Sequence, residues 1–120
     1  MTAPNIKNPG IITGKTSTTS LTTTSVTSVL SNAVSSNKVL KINSIFASNV
    51  SGALSVNISI SIYNGTSDFY LCKTLVVPGY STQIVSTKES YFYIEEGSSI
   101  RALASSANAV DILIGYEEIV

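Results

Sequence analysis

The ten residues LSVNISISIY, Leu54 to Tyr63, alternate without a break. Leu54, Val56, Ile58, Ile60 and Ile62 fall on one side, and Ser55, Asn57, Ser59, Ser61 and Tyr63 on the other. A period of two marks a strand with one face buried and the other wet. Directly after it, NGTSDFYLC places Asn64 and Gly65 where a two-residue type I′ turn needs both central residues at positive φ. A hairpin is therefore expected, with FYLCKTLVV as the return strand. Pro78-Gly79 then supplies a preset φ at one turn position and a residue that accepts positive φ at the next, ahead of the short strand TQIVST.

Working outward, KVLKINSIF sets Leu40, Ile42 and Phe46 against Lys41 and Asn43, and SNVSGA turns the chain into the isoleucine-rich strand. At the other end, VDILIGYE places Val110, Ile112, Ile114 and Tyr116 on one face. No stretch carries a convincing helical period. About seven or eight short strands, with turn signals roughly every 8 to 12 residues, predict an all-β chain folded as a single antiparallel β-sandwich. Jelly-roll and other Greek-key topologies both satisfy this pattern. TSTTSLTTTSVTSVLS, residues 16 to 31, is polar but rich in β-branched threonine and valine and nearly free of glycine and proline. It reads as one or two strands, which divides the chain into an extended arm at residues 1–15 and a sandwich at residues 16–120.

At 120 residues the chain suits one domain with its own core. Charged residues make up 12% of it, seven basic and seven acidic, for a net charge of zero. Serine and threonine, more than a quarter of the chain, supply the wet surface instead. Without a basic run there is no footprint for counterion-driven binding to nucleic acid, so no nucleic-acid partner is expected. The N-terminus has no basic stretch leading into an apolar core, so export by the general secretory route is not expected. No apolar run approaches the roughly twenty residues that cross a bilayer, and no membrane association is expected.

The search for chemistry is short. YIEEGSSIRALAS, residues 93 to 105, brings Glu95 and Glu96 in front of a glycine, two serines and the single arginine. At a strand end, adjacent side chains point in different directions, so the two glutamates form a turn rather than an acid–base pair. Arg101 reads as a strand residue or as an ion-pair partner of Glu95 or Glu96. Histidine is absent, and Cys72 is the single cysteine. That removes Ser-His-Asp and Cys-His catalysis and any cysteine-based zinc site, and it leaves Cys72 as a small apolar strand residue. Asn49, Asn57 and Asn64 open Asn-x-Ser/Thr triplets, which chance provides in so Ser/Thr-rich a chain. Asp68 and Asp111 stand alone, leaving a weak cation site at Asn64 to Asp68 as the one metal candidate. The expectation is a non-enzyme without cofactor or metal. Tyr91 and Tyr93, in YFY, are the candidates for stacking on a sugar ring.

In order along the chain, NIKNPGIITGKT, KVLKINSIFASNVSG, SVNISISIYNGT, LVVPGYSTQIVSTKESYFYIEEGSSIRALAS and VDILIGYEEI resemble the layout of small virion structural proteins of tailed bacteriophages, particularly those infecting marine cyanobacteria. The resemblance spans nearly the whole chain and lies in its strand and turn motifs; the long Ser/Thr arm departs from the generic module. It implies a β-sandwich located on the virion, without catalytic residues. The resemblance points to a capsid decoration or cement protein whose partners are the major capsid protein, other virion proteins and copies of itself. Its alternative is a tail-fibre, neck or receptor-binding module that recognises host carbohydrate through Tyr91 and Tyr93. Ile6, Ile11 and Ile12, the aliphatic anchors of the arm, are the candidate partner-binding residues, expected to lie extended on a neighbouring subunit.

Overall fold

A computed structural model describes residues 4–52 and 54–120. Residues 1–3 of the expected arm and Ala53 of the SNVSGA turn lie outside the described residues. Among the described residues nine strands follow one another: β1 (Ile12–Leu21), β2 (Thr27–Ser31), β3 (Val39–Asn49), β4 (Val56–Tyr63), β5 (Asp68–Val77), β6 (Thr82–Ser86), β7 (Phe92–Ile94), β8 (Ser99–Ala104) and β9 (Val110–Ile119). A 3-10 turn, Lys88–Ser90, separates β6 from β7.

The strands form two antiparallel sheets, and the chain is a β-sandwich. One sheet runs β1-β9-β3, with β6 and β7 end to end along the far edge of β3. The other runs β2-β8-β4-β5. Apart from the β4–β5 hairpin and the β6–β7 break, every connection passes from one sheet to the other. Counting β6 and β7 as one interrupted strand leaves eight, wound as a jelly roll. This selects between the two topologies that the turn spacing left open.

The inner faces supply one core, dominated by β-branched residues that pack well on pleated surfaces: Ile42, Ile45, Ile58, Ile60, Ile94, Ile100, Ile112 and Ile114, joined by Leu21, Val56, Val77 and Val110. Along β9, Val110, Ile112 and Ile114 point inward as the alternation predicts, with Tyr116 packed at the margin. Leu54, at the start of the quoted stretch, precedes β4 and is exposed.

Three local readings are corrected. In β3, Leu40 and Ile42 face the core, but Phe46 does not; Ile45 and Ala47 take its place. The pairing with β9 slips between Ile42 and Ser44, and this bulge moves the following residues to the opposite face. The β4–β5 hairpin exists, but its loop has four residues, closed by the Tyr63–Asp68 pair. Of its first two residues only Gly65 has positive φ, at 95°, while the Asn64 side-chain oxygen accepts the N–H groups of Thr66 and Ser67. At Pro78-Gly79 the left-handed residue is Tyr80, with φ 55°. Gly79 is needed for a different reason: a Cβ there would stand 3.0 Å from the Ser51 carbonyl oxygen and 3.1 Å from that of Gly52.

The expected arm is partly the chain's own sheet. From Ile12 onward the chain is β1, paired with β9 without interruption from Ile12↔Ile119 to Leu21↔Val110. The pairing is continued by the Val120 oxygen, which accepts from Gly10, and by the Val120 N–H, which donates to Ile11. A boundary at residue 15 thus falls inside β1. Upstream, the Asn5 side chain and carbonyl accept from Lys7 and Asn8, which makes a turn of this segment rather than an extended tail. Lys15 is also committed: it and Lys38 each lie 3.0 Å from the Glu118 carboxylate.

Candidate functional site

The alternation along β4 sends Ser59, Ser61 and Tyr63 to the outer face of the second sheet. The hairpin folds β5 back so that Tyr70 lies opposite Ser61 and Asp68 opposite Tyr63, while β8 places Arg101 opposite Ser61 on the other side. Instead of a solvent-washed face, this produces a lined hollow. Ser59 and Ser61 are only 8% and 4% exposed, so β4 is buried on both sides.

The hollow, a groove of about 170 Å³, is walled by Val26, Tyr70, Leu103 and Thr74, with Asp68, Lys73 and Arg101 as its charged groups. Its floor is internally bonded. Ser61 donates to one Asp68 carboxylate oxygen at 3.0 Å, and Arg101 donates to the other at 3.3 Å. The Arg101 guanidinium lies 4.1 Å from the centre of the Tyr63 ring, and the Lys73 ammonium 4.8 Å from that of Tyr70, both within cation–π range. Ser59 accepts the N–H of Thr74 at 3.0 Å. Thr74 itself adopts φ 52°, the left-handed region that a β-branched residue enters only under constraint. Here the β4–β5 pairing skips, so that Ile58 opposes Leu75 and Ile60 opposes Cys72.

The other candidates sit elsewhere. Arg101 pairs with Asp68, not with Glu95 or Glu96. Glu95 and Glu96 do occupy the turn between β7 and β8, where the Ser98 N–H donates to the Glu95 carbonyl and Gly97 has φ 79°. Their side chains diverge: Glu95 is exposed, whereas both carboxylate oxygens of Glu96 are enclosed without a hydrogen-bond partner among the described residues. The weak cation site is disassembled, since the Asn64 oxygen serves its own loop and Asp68 serves Ser61 and Arg101. Burial pushes the Cys72 thiol above its ordinary range, with a backbone hydrogen bond at Ile60 acting the other way; a thiol held protonated is a poor nucleophile. Asn49 is buried and structural.

Tyr91 and Tyr93 do meet, with ring centres 5.9 Å apart and planes at 84°. Edge-to-face rings offer no shared platform, and the Lys41 ammonium lies over Tyr91 at 4.4 Å. Ile6, Ile11 and Ile12 remain 49%, 63% and 54% exposed, available to a partner but not gathered into a pocket. Sequence reasoning missed Tyr63, Tyr70 and Lys73 as neighbours of Arg101. A two-residue turn at Asn64-Gly65 would have set Tyr63 against Thr66, whereas the four-residue loop sets it against Asp68; the arrival of Arg101 depends on the β4–β8 pairing, which no local pattern encodes.

Among the described residues, no helix is long and apolar enough to cross a membrane. No family model, curated protein or solved structure matches the chain.

Proposed function

We propose that the chain is a non-enzymatic structural protein of a phage virion, a decoration or cement module that binds the major capsid protein and is present in many copies. The observation that carries this reading is the free edge of β1. Ten residues, Ile12–Leu21, run in unbroken register against β9, and their other edge pairs with no strand among the described residues. Soluble proteins ordinarily shorten, bulge or cover such an edge, because it offers a row of main-chain donors and acceptors to any extended segment. Here it is long and regular, and Ile11 and Ile12 stand exposed at its start. Main-chain pairing would give affinity and the isoleucines register, while repetition over a symmetric shell multiplies a modest interface.

Quantitative gels of purified particles test the proposal. A copy number close to that of the major capsid protein is the expected result, and a handful per particle rules out decoration. The receptor-binding alternative through Tyr91 and Tyr93 gains nothing from their perpendicular rings, which present no shared stacking face.

A further inference from the structure

We infer that the groove over β4, β5 and β8 is a binding site for one acidic sugar residue, a pyranose carrying a carboxylate or a sulfate. The inference stands whether or not the chain belongs to a virion, because it rests on the groove alone.

Charge comes first. Two cations, Arg101 and Lys73, share the hollow with a single carboxylate, Asp68, which leaves one positive charge uncompensated. Arg101 is held in place by Tyr63 on its face and Asp68 at one nitrogen, so little side-chain freedom remains to be lost on binding. Its hydrogen bond to Asp68, at 3.3 Å, uses one of five N–H groups. The remaining fork suits a planar or tetrahedral oxyanion. Lys73 has no acidic partner among the described residues and supplies a second, point-like contact.

Shape and surface then select the rest of the ligand. The volume of about 170 Å³ admits a single six-membered ring rather than an extended chain. Tyr70, Leu103 and Val26 give apolar surface for the C–H face of such a ring beside the cations. Ser59 accepts from Thr74 and retains its own O–H, with no protein acceptor among the described residues, to donate to a ring hydroxyl. The strained Thr74 is the kind of backbone cost that persists at binding sites. A glutamate or aspartate from a partner protein would satisfy the cations but bring no ring face for Tyr70, so an acidic sugar fits the groove better than an acidic peptide.

The experiment is calorimetric titration of the full chain with four probes: trigalacturonate, neutral galactotriose, a sulfated galactotriose and hexaglutamate. Trigalacturonate or its sulfated counterpart is expected to bind with an affinity that falls as salt is raised, and the neutral trimer to bind at least about tenfold more weakly. A preference between the two acidic trimers identifies the anion as carboxylate or sulfate. Lys73→Gln, at an exposed position, is expected to keep the melting temperature and lose about tenfold in affinity, with Arg101→Gln and Tyr70→Ala losing as much or more. Equal binding of the neutral trimer, tighter binding of hexaglutamate, an undiminished Lys73→Gln, or silence with all four probes would overturn the assignment.

Discussion

Asn49 closes the corner where the chain leaves β3. Its side-chain nitrogen donates to the carbonyls of Leu54 and Val77, and its oxygen accepts from Ser51, all at 2.9 Å and in a nearly solvent-free position. Asn49→Ala strips three partners at once and is expected to cost about 2–4 kcal/mol, read as a lower urea midpoint at unchanged slope. Asn49→Asp should be no rescue, because it sets a carboxylate against two carbonyls. Glu118 makes a prediction of a different kind. Its hydrogen bond to Lys15, then that to Lys38, holds its carboxyl below the ordinary value of 4.5, while Glu118 raises Lys15 above 10.5. A depressed carboxyl stabilises the fold above its unfolded value and loses that contribution as the pH falls through the folded one. The raised lysine keeps its own contribution through neutrality and loses it only in strong alkali. Glu118→Gln should therefore reduce stability near pH 7 and flatten the loss between about pH 5 and 3, with a small amplitude because Lys15 is exposed. Urea titrations across that range measure it; an unchanged acid limb would show that other carboxylates set it.

At the scale of elements, the free edge of β1 and the turn before it separate attachment from folding. Removing residues 1–10 deletes the Asn5–Asn8 turn and Ile6 but leaves β1 paired from Ile12. Such a truncation should melt within a few degrees of the full chain, whereas removing residues 1–15 also takes four register pairs and the Lys15–Glu118 contact, and should lower stability clearly. If the shorter truncation binds particles as well as the full chain, attachment runs through β1 alone; if it unfolds, the N-terminal turn belongs to the core. The same elements show what a sequence can disclose. The face of β4 that carries Val56, Ile58 and Ile60 was legible because burial writes a period of two directly into the residues. Phe46 was misplaced because a bulge at one position inverts all later parity, and nothing in KVLKINSIF marks it. The division at residue 15 fell inside β1 for a related cause: Ile12-Thr13-Gly14-Lys15, with a glycine and a lysine, is too short a pattern to tell an arm from a strand end until its partner, here β9, is known. In the groove, Asn64-Gly65 announced the hairpin but not the four-residue loop that sets Tyr63 against Asp68, and Arg101 lies 33 residues from Asp68 and arrives only through sheet topology.

The whole molecule is closed by its ends. β9 lies between β1 and β3, so the first strand can pair only after the last has been made, and the central strands of the other sheet, β8 and β4, are likewise distant in sequence. Forming such ladders means closing long loops before their contacts stabilise them, which makes all-β sandwiches slow, in the range of roughly milliseconds to seconds. The two proposed working surfaces depend on this closure differently. The β1 edge exists only when β9 is present to hold β1 flat, whereas the groove is built from β4, β5 and β8 on the other sheet. Ending the chain at Asn108 removes β9, with Val110, Ile112 and Ile114, and leaves β1 without its partner and β3 bare along one edge. Such a large loss from one shared core should abolish the cooperative transition altogether, while the intact chain unfolds in a single step and refolds with one dominant phase. Stopped-flow refolding of the intact chain, together with thermal melts of both forms, checks this. A cooperative melt in the shortened chain would mean that β2, β8, β4 and β5 hold together on their own, making the groove sheet an independent unit and the β1 sheet an addition to it.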